Sequence, residues 1–314
     1  MQSSTIDFAV TVIGPVLALL VMGNILIRVK LINDDFVAMG SKLVFTVALP
    51  ALLFLSISQA DFSHAANPLL IGVGLAGTLG YFLVLMGLSH FMVSESDARG
   101  VVTQGGFRAN MGIIGLAYCA NTYGNDGLAA ASVYLGLVTI LFNILSVFVL
   151  NFYQEGKRSV TKQLSGIAKN PLIIAICCAL PFSYFDWSLP GIAVTTGEYF
   201  AQLTLPLALL CTGASLQFRS FSDDWFNISL STLSKCVFYP LVLVALAYVV
   251  GLRGMPLGIV LLMAISPTAA ASYVMVRSLG GDHRLAASII AVTTLLSLPV
   301  TIVAFDLLAS RNLL

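Results

Sequence analysis

Charge is scarce in this sequence. Of its 314 residues only 9% are Asp, Glu, Lys or Arg, against about 25% in soluble chains, while 58% are hydrophobic and the mean hydropathy is +0.97. No soluble domain needs so apolar a composition, so the chain reads as a polytopic membrane protein. The balance of charge is near neutral, +1, which gives no basic face for nucleic acid. Cysteine is present but not as a metal framework. Cys119, Cys177, Cys178, Cys211 and Cys236 all fall in hydrophobic stretches without zinc-ligand spacing, and read as small core residues. No metal site is firm and no cofactor is expected. The first hydrophobic stretch lacks preceding basic residues, so no cleavable signal peptide is expected. Histidine is limited to His64, His90 and His283, all near the ends of hydrophobic stretches. None is placed to activate a serine at mid-membrane depth, which argues against an intramembrane hydrolase. Acidic residues are missing from the middle of every hydrophobic stretch. That weighs against sodium/proton exchange through a buried carboxylate relay.

What is abundant is span-length apolar sequence. A membrane-crossing helix needs about 20 apolar residues. Ten candidate spans satisfy this: 7–27, 36–58, 68–92, 100–122, 127–150, 168–184, 191–215, 226–250, 256–278 and 285–308. The longest loop, 151–167, separates two sets of five spans. Pro15 and Pro171, Leu49 and Leu205, Pro50 and Pro206, Asp126 and Asp282, Ala130 and Ala286, and Ser132 and Ser288 are each 156 positions apart. A common register across several segments indicates internal duplication. The halves are 1–155 and 156–314, and an odd number of spans in each turns the second copy over in the membrane. The expected fold is therefore all-α, with ten transmembrane helices as two inverted five-helix repeats.

Orientation follows from Lys and Arg. One face carries Arg28, Lys30, Arg99, Lys157, Arg158, Lys162, Lys169, Arg219 and Arg284; the other carries Arg253 and Arg311. The positive-inside rule places the first face in the cytoplasm and both termini outside. Lys42 and Glu198 also match at the repeat distance. Inversion sends them toward opposite faces, so they read as separate charges, each snorkelling or paired locally, and not as a pair with each other. The glycines of span three, Gly72, Gly74, Gly77, Gly80 and Gly87, read as helix-packing positions.

Two spans look interrupted. The fourth holds Gly105, Gly106, Arg108, Asn110, Gly112 and Gly115 within a stretch apolar enough to span. Adding the repeat distance to Asn110 gives Ser266, beside Pro267. Unwound backbone at membrane depth is tolerated only where it is buried in protein or lines a cavity. Paired, interrupted spans in corresponding positions point to the binding site of a secondary transporter. Candidate substrate contacts are Arg108, Asn110, Gly112, Asn143, Ser266, Pro267 and Thr268. A mid-depth Arg108 either grips a carboxylate with two parallel hydrogen bonds or is a structural arginine tied to carbonyls. Asn143 is a polar contact or an interhelical hydrogen bond. Lys235, near mid-depth in span eight, either bonds the unwound backbone in place of a coupling cation or makes a structural interhelical bond. Arg277 reaches the cytoplasmic interface and snorkels.

On Asn110-Met111-Gly112-Ile113-Ile114-Gly115-Leu116, and on Pro267-Thr268-Ala269-Ala270-Ala271-Ser272-Tyr273 followed by Gly280-Gly281-Asp282, the chain resembles the auxin efflux carrier family. That family includes the plant PIN proteins and bacterial permeases. Ala117 stands where the family pattern has a proline, so the first break is expected to differ in shape, with Gly105-Gly106 as its weak point. The resemblance implies a fold like that of the bile-acid/sodium symporters, with crossing discontinuous helices. Spans one, two, six and seven would form a scaffold and dimer surface, and spans three to five and eight to ten an elevator-like moving domain. It implies small organic anions as substrates: auxin-like acids in plants, malonate or malate in bacteria. The expected protein is thus a carrier of a small organic anion in a bacterial inner membrane, homodimeric and in contact with lipid. Two alternatives stand beside it. One is a sodium-coupled symporter with Thr103, Gln104, Asn110, Ser266 and Thr268 as possible sodium ligands. The other is a receptor that binds without transporting.

Overall fold

A proline inside a helix lacks an N–H and its ring crowds the carbonyl one turn back. Three helices of this chain meet that problem with a widened, π-helical turn just before the proline. Ala9–Ile13 precedes Pro15, Val44–Ala48 precedes Pro50, and Ser234–Phe238 precedes Pro240. Single π turns inside α-helices absorb such mismatches.

A computed structural model of the protein describes residues 9–59, 67–153, 171–215, 224–279 and 281–314. Apart from residues 151–153, the long central loop lies outside them, as do the expected repeat boundary, His64, Lys169 and Arg219. Among the described residues there are helices and no named strand. They are α1 (Val10–Arg28), α2 (Asp34–Ser58), α3 (Pro68–Met92), α4 (Ser96–Phe107), α5 (Met111–Tyr153, with non-helical Gly124 inside), α6 (Pro171–Tyr184), α7 (Gly191–Ser215), α8 (Trp225–Val249), α9 (Met255–Ile265), α10 (Ala271–Leu279) and α11 (His283–Ala309). Six of these, α1, α2, α3, α5, α8 and α11, are long and apolar enough to cross a membrane.

The helices fall into two compact units, and α5 contributes to both. One comprises Met1–Pro68, Gly112–Gly136 and Ile167–Leu216. It contains α1, α2, α6 and α7. Here α1 and α7 approach backbone to backbone: a Cβ on Gly23 would lie 2.0 Å from the Leu210 carbonyl, and one on Gly213 would lie 2.0 Å from the Leu20 carbonyl. Small residues permit such approach where no solvent drives helices together. Asn33 caps α2, its side chain accepting from Phe36 N–H at 2.8 Å, and Asp34 and Asp35 in the first turn suit the positive helix end.

The other unit comprises Leu69–Met111, Leu137–Gly166 and Gln217–Leu314. Its centre is α9, in which every residue from Leu257 to Ile265 is buried. A helix apolar on all sides belongs in a core. Tyr81 of α3 donates to the Ser234 carbonyl at 2.9 Å, and Thr78 and Tyr239 share a 2.8 Å hydrogen bond. These bonds tie α3 to the widened turn of α8. Asp282 caps α11 by accepting from the Arg284 and Leu285 amides.

Two expectations about small residues need correction. A Cβ on Gly72, Gly80 or Gly87 would meet nothing within 4 Å, so within the fold these glycines are not close-packing positions; in α3, Gly77 is one, at 3.3 Å from Leu243. Cys177 and Cys178 are exposed on α6, whereas Cys119, Cys211 and Cys236 are buried. In a short apolar helix, neighbouring positions point to different sides, and sequence alone did not say which side was covered.

Candidate functional site

Helix α4 ends at Phe107 and α5 starts at Met111; α9 ends at Ile265 and α10 starts at Ala271. Both interruptions have a local cause. Ser266 precedes Pro267, and the proline ring drives the preceding residue out of the helical region. Ser266 accordingly has φ −55° and ψ 143°. Arg108 is extended as well, with φ −75° and ψ 95°.

The two interruptions meet. Ala109 and Thr268 form an antiparallel bridge, in which Asn110 N–H donates to the Pro267 carbonyl at 2.7 Å and Ala269 N–H donates to the Arg108 carbonyl at 2.9 Å. Broken helices leave carbonyls and amides without intrahelical partners, and the two breaks satisfy part of each other's need. The Thr268 hydroxyl donates to the Gly105 carbonyl at 2.7 Å, while its N–H donates to Thr293 Oγ1 at 3.2 Å. The Ser266 hydroxyl turns back to the Met263 carbonyl at 2.8 Å.

Gly105 and Gly106 do not form the break; both are helical in α4. They make room for neighbours instead. A Cβ on Gly105 would lie 2.6 Å from Ser231 Oγ, and one on Gly106 2.6 Å from Leu85 Cδ2. A π-helical turn at Met111–Gly115 opens α5, although Ala117 follows it where a proline follows the other three such turns. Gly112 sits in that turn, where a Cβ would make ordinary contacts with Leu49 and Leu135.

Arg108 is 6% exposed. Its Nη2 donates to Asn143 Oδ1 at 2.8 Å, and its Nη1 donates to Ser146 Oγ at 3.0 Å and to the Phe142 carbonyl at 3.4 Å. Its Nε is buried without a partner. Asn143 thus joins Arg108, and Ser146 is a partner the sequence did not suggest. Among the described residues Arg108 has no carboxylate, so a full positive charge is held beside the break by neutral oxygens alone. The Asn110 carboxamide, 7% exposed, makes no hydrogen bond among the described residues. Among the described residues the amides of Met111 and Ala270 make no backbone bond.

Lys235, in the widened turn of α8, is fully buried. Its ammonium donates to the Ala264 carbonyl in the last turn of α9 and lies 4.9 Å from the centre of the Tyr239 ring. A cation at a helix C-terminus meets the negative end of the helix dipole. Thr103 is spent locally, donating to the Arg99 carbonyl at 2.8 Å. Among the described residues Gln104 Oε1 and Ser272 Oγ are buried without hydrogen-bond partners, and both residues border, with Gly105 and Thr268, a packing gap too small for a water molecule. Ser272 was not singled out in the sequence; its place three residues past Ala269 in the first turn of α10 was the available signal. Arg277 is exposed in the last turn of α10.

Six described helices are long and apolar enough to cross a membrane, the composition of a multi-pass membrane protein. The chain belongs to the membrane transport protein family, which matches residues 8–305. The resemblance to auxin efflux carriers holds at this level. An uncharacterized transporter of Methanothermobacter thermautotrophicus is 26% identical over 287 residues, 90% of this chain and 93% of its own length. The uncharacterized transporter MJ1031 of Methanocaldococcus jannaschii is 22% identical over 296 residues, with the same coverage of 90% and 93%. The uncharacterized transporter YfdV of Escherichia coli is 24% identical over 238 residues, covering 73% of this chain and 75% of that one. The protein is a membrane transporter.

Proposed function

We propose that the protein carries a small organic anion, a carboxylate, across the membrane, binding it where the two interrupted helices meet. The observation that carries this reading is Arg108: a buried guanidinium held only by neutral oxygens, two residues from the unpartnered Asn110 carboxamide. Helix N-termini supply amides and partial positive charge to an anion. Asn110 stands at the start of one such helix and Ala270 at the start of another. In this reading Gly112, Ser266, Pro267 and Thr268 shape the surrounding backbone. Lys235 steadies α9 through Ala264, the position a coupling cation would otherwise hold.

The proposed architecture is ten spans in two inverted repeats, with elevator-type exchange between membrane faces. The interleaved chain composition of the two units supports it. One holds α1, α2, α6 and α7; the other holds α3, α4 and α8 to α11. The reading includes a homodimer in a bacterial inner membrane with both termini outside.

Sodium coupling is the second reading. It is favoured by the buried oxygens of Gln104 and Ser272, which have no partner among the described residues and lie around one packing gap with Thr268, because hard cations take oxygen donors. Uptake of labelled monocarboxylates and dicarboxylates into proteoliposomes, with sodium and proton gradients varied separately, tests both readings. Saturable uptake of a carboxylate is expected. Flux for none of the panel, with binding retained, would instead identify a receptor.

A further inference from the structure

A cavity lies in the unit built from α1, α2, α6, α7 and the Gly112–Gly136 part of α5. Its volume is about 590 Å³, within the usual range for small-molecule sites. Pro15 and Pro206, the bend positions of α1 and α7, both line it, and its walls include Val16, Leu52 and Leu209. Three polar side chains share this apolar space: Asn121, Glu198 and Gln202. Asn121 spends its N–H on the Val12 carbonyl at 3.1 Å, which leaves its oxygen. Gln202 lies one turn below Glu198, on the same face of α7.

Glu198 is the informative group. It sits about two turns into a helix of 25 residues. Among the described residues it has no Lys, Arg or His partner. Glu198 is exposed, so its carboxylate is open to a ligand. Among the described residues no basic side chain lines the cavity. The lining therefore offers acceptors and one negative charge on an apolar wall. An anion is repelled here. A zwitterionic lipid headgroup would find a partner for its ammonium and none for its phosphate.

We infer that this cavity binds a free organic ammonium ion with an apolar body. Glu198 is its counter-charge, the oxygens of Asn121 and Gln202 accept its remaining N–H groups, and the helix walls hold its hydrocarbon. The site is separate in residues and opposite in charge preference from the anion site proposed above, and it stands whether or not that reading does.

Equilibrium binding of radiolabelled phenylethylammonium to the full-length protein in phosphatidylglycerol nanodiscs tests it. Saturable binding is expected, weakened at least tenfold in Glu198→Gln and retained in part by Glu198→Asp. Phenylpropionate, the anionic counterpart, should not compete. Ala201→Phe, which fills the cavity and leaves the carboxylate in place, should abolish binding; a single symmetric elution peak for each variant shows that it is folded. Equal binding by wild type and Glu198→Gln overturns the proposal, as does the absence of saturable binding. Displacement by added phosphatidylethanolamine also overturns it, by making the occupant a lipid headgroup.

Discussion

Asn110 and Pro267, far apart in the chain, are joined by one main-chain hydrogen bond of 2.7 Å, N–H of the first to carbonyl of the second. The bond exists because Pro267 forces Ser266 out of the helix and turns its own carbonyl away from α9. Pro267→Ala lifts that restriction. An unstrained proline stabilises by about 0.4–1 kcal/mol through the unfolded chain, so a modest fall in melting temperature is expected. The larger expected effect is on uptake, at least tenfold, because α9 becomes free to extend into the break. Proteoliposome flux measured beside thermal unfolding separates the two; unchanged flux would show that the break does not depend on the proline.

Arg108 makes its bonds to Asn143, Ser146 and the Phe142 carbonyl. Hydrogen bonds to charged groups contribute about 1.5–3 kcal/mol each. Arg108→Gln retains polarity and removes the charge, and it should raise the apparent dissociation constant for a carboxylate by tenfold or more. Asn143→Ala should show a smaller loss, since it frees one arm of the guanidinium and keeps its charge. Full anion affinity in Arg108→Gln would assign the arginine to structure alone.

Lys235 is fully buried, and its ammonium is the partner of the Ala264 carbonyl. Lys235→Met keeps most of the volume but leaves that carbonyl unsatisfied, at a cost of about 1–3 kcal/mol. Lys235→Ala adds a cavity to the same loss and should unfold at a lower temperature still. Both should lower uptake. Flux with its ion dependence unchanged in either variant would rule out any part for Lys235 in coupling.

How far these features were legible in the sequence differs from residue to residue. Pro267 announces its own interruption, because one residue type constrains the backbone whatever surrounds it. Asn110 stood out as a polar residue among the glycines of an apolar stretch, and its register led to Ser266. The end of α4 was harder to place: glycines at 105 and 106 looked like the weak point, yet both are helical and the chain departs at Arg108. Glycine marks a helix interior that needs close neighbours as readily as one that breaks, and only the positions of Ser231, Ile289 and Leu85 decide between them. Ser146 carried no sequence signal of its own, and Ser272 only its place in the run after Pro267. Their importance comes from what α4 and α10 bring beside them.

That distinction between glycines gives a paired test. A Cβ on Gly105 would lie 2.6 Å from Ser231 Oγ and 2.8 Å from Ile289 Cγ2, whereas one on Gly72 would meet nothing within 4 Å. Overpacking a filled site costs about 1–3 kcal/mol, while alanine in an open helical position gains about 0.5–1 kcal/mol over glycine. Gly105→Ala should therefore lower the melting temperature and Gly72→Ala should hold or raise it. Gly105 also bears the carbonyl that accepts from Thr268, so pushing Ser231 or Ile289 aside should disturb the meeting of the breaks and reduce uptake in the first variant only. Equal stability of the two would mean that α4 has slack at this point, and that the approach of its neighbours is not what Gly105 provides.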